Sequence, residues 1–99
     1  MGANVRLHTF SDYIRHDANM LVECRACPNK AVLDARKVQR WFWCHRWSEA
    51  IEIAGGHMRC HVCRGRPAYI RPTPAAPTYP EWMQYEHQWG ALVKRLRNW

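Results

Sequence analysis

The sequence predicts a small α+β domain closed around one metal ion, in which two CxxC β-hairpin knuckles are bridged by a helix and followed by a C-terminal amphipathic helix. Three observations predict it. Two thiol pairs, Cys24-x2-Cys27 and Cys60-x2-Cys63, are separated by 32 residues. Each pair is flanked by short β-prone runs and by turn residues. The chain has only 99 residues, and one this short buries about 60–65% of its unfolded surface, a thin margin that a bound metal commonly supplements.

The elements follow in order. Thr9-Phe10-Ser11-Asp12 is a helix start, with Thr9 as N-cap and Asp12 in the capping-box position, and the helix is expected to end within Asp17-Ala18-Asn19. Met20-Leu21-Val22-Glu23 reads as a strand entering Cys24. Pro28-Asn29-Lys30 supplies a turn, and Ala31-Val32-Leu33 returns as its partner. Asp34 is an N-cap for a helix over 35–47, continuing or restarting through Ile53, with Gly55-Gly56 closing that region. His57-Met58-Arg59 is expected to lead as a strand into Cys60, Arg64-Gly65-Arg66 to turn, and Ala68-Tyr69-Ile70-Arg71 to return. Both halves then share one plan of strand, CxxC, turn and strand. Residues 1–71 form the metal domain, and proline-rich 72–78 an extended tether. Thr78-Tyr79-Pro80-Glu81 combines a capping box with an early proline and opens a helix over 79–97.

A CxxC turn brings two sulfurs within reach of one ion, and two such turns complete a tetrahedral site with no open position. That pattern implies one structural Zn²⁺ on Cys24, Cys27, Cys60 and Cys63. A pair of redox disulfides and an iron centre in the same S₄ geometry are the competing readings. The redox reading lacks the helix start beside a βαβ sheet where such motifs sit. Cys44, the fifth cysteine, lies mid-helix and is expected to pack. His57 and His61 flank Cys60 as outer donors or replacement ligands.

The pattern Thr9-Phe10-Ser11-Asp12-Tyr13-Ile14, a strand into CxxC, Val32-Leu33-Asp34, and Met58-Arg59-Cys60-x2-Cys63-Arg64-Gly65 resembles small zinc-ribbon-like proteins of alphaproteobacteria and their phages. The closing strand Ile70-Arg71-Pro72 completes it, over about residues 8–72. The second knuckle departs from the group in placing Arg64 where glycine usually follows the last cysteine. The resemblance implies zinc on the four named cysteines and brings no established activity.

Charge narrows the partners. The formal net charge is +7, carried by 15 Lys and Arg against 8 Asp and Glu. Four deprotonated thiols around one divalent ion lower it by two, and the basic balance survives. Most of the cations are arginine, whose fork suits phosphate, so polyanions such as nucleic acid, DNA or RNA, are favoured. In the central helix Arg36, Arg40, Trp43 and Trp47 fall on one stripe, while Ala35, Val38, Trp41, Phe42 and His45 fall on the other side. The stripe is read either as a phosphate- and base-binding surface, together with Arg59, Arg64, Arg66 and Arg71, or as core with arginine stems lying over it. In the last helix Trp82, Tyr85, Trp89, Leu92, Val93, Leu96 and Trp99 share one face. This face either docks on its own domain, binds a protein partner or second copy in an assembly or adaptor role, or lies on a membrane surface. No nucleophile–base motif, glycine-rich phosphate loop or paired carboxylates are present, so no enzyme is expected. No span or secretory signal is expected, and five cysteines fit a closed disulfide framework poorly. A bacterial cytoplasm, or a virion if the chain is phage-encoded, is the expected location.

Overall fold

The computed structural model describes residues 7–97. The expected position of Trp99 in the last helix lies outside them. Helix α1, Phe10–Arg15, begins where the sequence places it. Thr9 Oγ1 accepts from the Asp12 N–H at 3.2 Å, and Asp12 Oδ2 accepts from the Thr9 N–H at 3.1 Å, so two otherwise unpaired donors are satisfied reciprocally. Strands β1, Asn19–Cys24, β2, Lys30–Leu33, and β3, Pro67–Thr73, form one antiparallel sheet in the order β2-β1-β3. Val22 pairs with Ala31 on one side and Ile70 on the other, and Glu23 pairs with Lys30 and Tyr69. Strand alternation sends Met20, Val22, Leu33 and Ile70 to the core and Glu23, Tyr69 and Arg71 to the opposite face.

Helix α2, Ala35–Cys44, is capped by Asp34, whose carboxylate accepts from the Arg36 and Lys37 N–H groups. It buries Ala35, Val38 and Phe42 against Phe10, Tyr13 and Met20, and the rings of Phe10 and Phe42 meet edge-on at 4.8 Å. Tyr13 donates its hydroxyl to the Ile70 carbonyl at 3.3 Å, and burial pushes its phenol pKa upward.

Four expectations need correction. The central helix stops at Cys44 rather than reaching 47, because His45 caps it and Arg46 turns left-handed at φ 60°. The turn lays Trp47 on Phe42 and returns the chain to α1, where Ile51 N–H donates to the His8 carbonyl at 2.7 Å. A short helix α3, Ile51–Ala54, and a 3₁₀ turn, Gly55–His57, follow. Residues 57–59 are no strand. His57 closes the 3₁₀ turn and stacks on Trp47 at 3.9 Å, while the second edge of β1 is taken by β3. The second knuckle therefore has no hairpin of its own.

Strand β3 also runs through Pro72, which pairs with Met20 inside the expected tether. A proline fits there because β3 is an edge strand with no outer ladder to interrupt. Finally, the terminal helix α4 spans Glu86–Arg97 and starts seven residues later than expected. The Thr78 hydroxyl is already engaged: it accepts from the Val32 N–H at 2.7 Å, while the Thr78 N–H donates to the Val32 carbonyl at 2.8 Å. Residues 80–83 make a turn that ends on Met83 at φ 50°. Gln88 Oε1 then accepts from the Tyr85 N–H at 2.9 Å, and the helix begins.

Candidate metal centre

The first CxxC turn joins β1 to β2 and the second leads into β3, and both lie at the end of the sheet where Cys24 pairs with Pro67. The Cys24 N–H donates to the Asn29 carbonyl at 3.0 Å, closing the first turn. The Cys60 N–H donates to Gly65 and the Arg64 N–H to Cys60, both at 2.8 Å, closing the second. The Arg25 N–H reaches the Arg66 carbonyl at 2.9 Å and joins one knuckle to the other, just beyond the register slip between Glu23 and Cys24.

The four sulfurs of Cys24, Cys27, Cys60 and Cys63 lie within 4.8 Å of one another, with Cys24–Cys63 at 3.4 Å and Cys27–Cys60 at 3.7 Å. A tetrahedral thiolate site with metal–sulfur bonds of about 2.3 Å needs sulfurs about 3.8 Å apart. The donor set fits. Backbone N–H groups of Ala26, Val62 and Gly65 approach Cys24, Cys60 and Cys63 at 3.3, 3.4 and 3.4 Å, and Asn29 Nδ2 approaches Cys60 at 3.5 Å. Such donors favour thiolate over thiol. Crowded together, the four thiols differ in how readily they ionise. The Cys63 backbone N–H, then that of Val62 and the Asn29 side-chain amide, bring Cys60 down to about 6 against the cost of burial. The Gly65 N–H favours the Cys63 thiolate, but Cys24 and Cys27 beside it outweigh that, and Cys63 is pushed up to about 12. Crowded sulfur is hard to ionise without a positive charge among the four.

Gly65 is fixed by space. A Cβ there would stand 3.0 Å from Ala26 Cβ and 3.2 and 3.3 Å from the sulfurs of Cys63 and Cys24. Arg64 takes the left-handed conformation, φ 67°, that glycine usually supplies.

Cys44 lies apart from the cluster, half-buried at the end of α2. His61 turns away from the sulfurs to Tyr79, with the hydroxyl 3.2 Å from Nε2. His57 is occupied by Trp47.

The arginine–tryptophan stripe separates. Arg40 forms a two-pronged pair with Glu86, at 2.7 and 2.8 Å, and its guanidinium lies 4.5 Å from the Trp89 ring centroid. Trp47 is sandwiched between His45 and His57. Arg36, Arg40 and Trp43 are exposed, Arg40 while it is held by Glu86 and Trp89. Arg59, Arg64 and Arg66 are all exposed on the second knuckle, as is Arg25 on the first. Arg71 is engaged by Glu23 at 3.4 Å and lies over Tyr69.

The aromatic face of α4 is covered by its own domain. Trp89 and Leu92 are buried, Trp82 packs on Trp41 with ring centroids 5.5 Å apart, and Lys37 Nζ donates to the carbonyls of Pro80 and Trp82. Val93 and Leu96 are half-buried and Tyr85 is exposed. The sequence reading missed Arg25, whose place beside Cys24 hid it among knuckle residues. It also missed Glu49, which accepts from the Ser11 N–H and hydroxyl at 2.8 and 2.7 Å and has no local signal. No described helix is long and apolar enough to cross a membrane.

Comparison with family models, with curated proteins and with solved structures finds no match.

Proposed function

We propose that the chain is a structural-zinc module that binds nucleic acid through the arginines its metal knuckles display. The observation carrying this reading is that Arg25, Arg59, Arg64 and Arg66 are exposed around one cysteine cluster, and none of them is ion-paired among the described residues. A closed S₄ set holds both loops by zinc and leaves no position for substrate, so the metal's part is to fix the spacing of the cations. Zinc agrees with the family resemblance drawn from the sequence. An interface role for the α4 face is the weaker reading, since Trp89 and Leu92 already serve the chain's own packing.

Binding is tested with metal-loaded protein on labelled DNA and RNA while salt is raised from about 50 mM to about 200 mM. The expected result is a linear fall of log affinity with log salt, made shallower by about 2 to 3 in slope when Arg59, Arg64 and Arg66 are all replaced by Gln. No binding to either polymer at the lower salt refutes the proposal.

A further inference from the structure

At the outer edge of β3 the chain leaves a groove of about 500 Å³ between the strand, α3 and the first knuckle. Arg25, Glu52, Gly55, Gly56, Arg66 and Tyr69 line it. The volume lies within the range of ligand sites, roughly 300–1,000 Å³. Three features of this groove point to one kind of occupant. Tyr69 is 56% exposed, and the Arg71 guanidinium lies 4.8 Å from its centroid. Glu23 at 3.4 Å steadies that guanidinium. With one face of the ring so occupied, its exposure leaves the other to solvent. Arg25 and Arg66 stand at the same groove on adjacent backbone, linked by the Arg25 N–H to Arg66 carbonyl bond. Arg66 Nη1 is fixed on the Gly56 carbonyl at 2.9 Å, so the remaining donors of its fork are held in place for an anion. The single carboxylate, Glu52, disfavours a phosphate at its own end and accepts from a hydroxyl or an exocyclic amine.

We propose that this groove takes an unpaired nucleotide of a single-stranded polynucleotide, its base stacked on Tyr69 and its flanking phosphates on Arg25 and Arg66. The inference rests on the nucleic-acid reading above and adds a strand class to it. A base within a duplex has both faces covered by its neighbours and cannot stack on a protein ring, whereas an unpaired base can. Charge complementarity favours this occupant over an apolar peptide, since two arginines line the groove and a third lies over Tyr69.

The test uses the full metal-loaded chain and fluorescence anisotropy on labelled single strands of about 12 nucleotides, RNA and DNA as separate arms, and on a duplex of the same length. Tyr69→Leu is expected to weaken single-strand binding about 5- to 150-fold, the range of one lost base–aromatic stack. Duplex binding should change less than about twofold, and Tyr69→Phe should bind as the parent does. Arg66→Gln should lower the salt slope for single strands by about 0.7. A loss in either polymer arm supports the groove and identifies its polymer. If the parent binds nucleic acid but Tyr69→Leu is indifferent, or weakens duplex equally, the groove assignment falls and the broader proposal stands. If the parent binds no nucleic acid at low salt, both fall.

Discussion

Replacing Trp89 by alanine should release the C-terminal segment while sparing the metal domain. Trp89 is 4% exposed, its Nε1–H donates to the Met83 carbonyl at 3.0 Å, and Arg40 lies over its ring. A buried tryptophan removes about 150–250 Å² from water, worth about 4–6 kcal/mol at 25 cal/mol per Å². Partial collapse around the hole brings the measured cost of such a truncation to about 3–5 kcal/mol. Neither Trp89 nor Leu92 belongs to the central cluster of Phe10, Tyr13, Met20, Ala35, Val38, Phe42 and Ala54. The loss is therefore expected to stop at undocking of residues 78–97 instead of spreading to the sheet. Amide hydrogen exchange on metal-loaded protein measures this directly. The α4 amides should lose about two to four orders of magnitude of protection, while those of β1 and α2 keep most of theirs. Unchanged protection across α4, or a uniform loss over the whole chain, would refute the reasoning.

Two further outcomes follow from the same geometry. Arg64→Gly relieves a left-handed arginine, worth about 1 kcal/mol, but the freer unfolded chain returns about 0.5–1 kcal/mol. Chemical unfolding should thus show a change from neutral to about 0.5 kcal/mol more stable, and a loss of more than about 1 kcal/mol would contradict the strain assigned to Arg64. Acid should weaken the junction of α1 with residues 49–51. Burial opposes ionisation of Glu49, yet the bonds from Ser11 and Gln39 hold its carboxyl below the ordinary value of 4.5, and the His8 N–H, then Thr9 and Arg15, lower Asp12 from 3.8. A depressed carboxylate stabilises the fold fully above its unfolded pKa and loses that contribution as pH falls through its folded one. Stability should accordingly decline below about pH 4.5, and Glu49→Gln, costing about 1–2 kcal/mol at neutral pH, should flatten the decline.

What the sequence disclosed is what neighbouring residues decide. The Thr9–Asp12 box, the Asp34 cap and the hairpin into Cys24 are each closed within a few residues, so composition and spacing identify them. The two thiol pairs are also legible, because a metal knuckle needs two cysteines three apart wherever the chain later goes. Long-range competition hid the rest. Residues 68–71 were readable as a strand but not their partner, since the hairpin leaves an edge free on both β1 and β2 and only packing selects β1. Thr78 carries a helix-cap signal, yet the unpaired N–H of Val32 captures its hydroxyl and delays α4 to Glu86. Arg40 and Trp47 fit a binding stripe by period alone; Glu86 and Trp89, 46 and 49 residues along from Arg40, take up its guanidinium, and His57 covers the Trp47 ring. Period places side chains on a face, and only packing decides what covers it.

The most direct test of the account is a titration of the reduced, metal-free protein with Co²⁺, followed by absorption. Cys24, Cys27, Cys60 and Cys63 should bind one equivalent, give the intense bands of a tetrahedral thiolate set, and release the cobalt to Zn²⁺. Absence of a break at one ion per chain, or weak bands of an octahedral oxygen set, would contradict it.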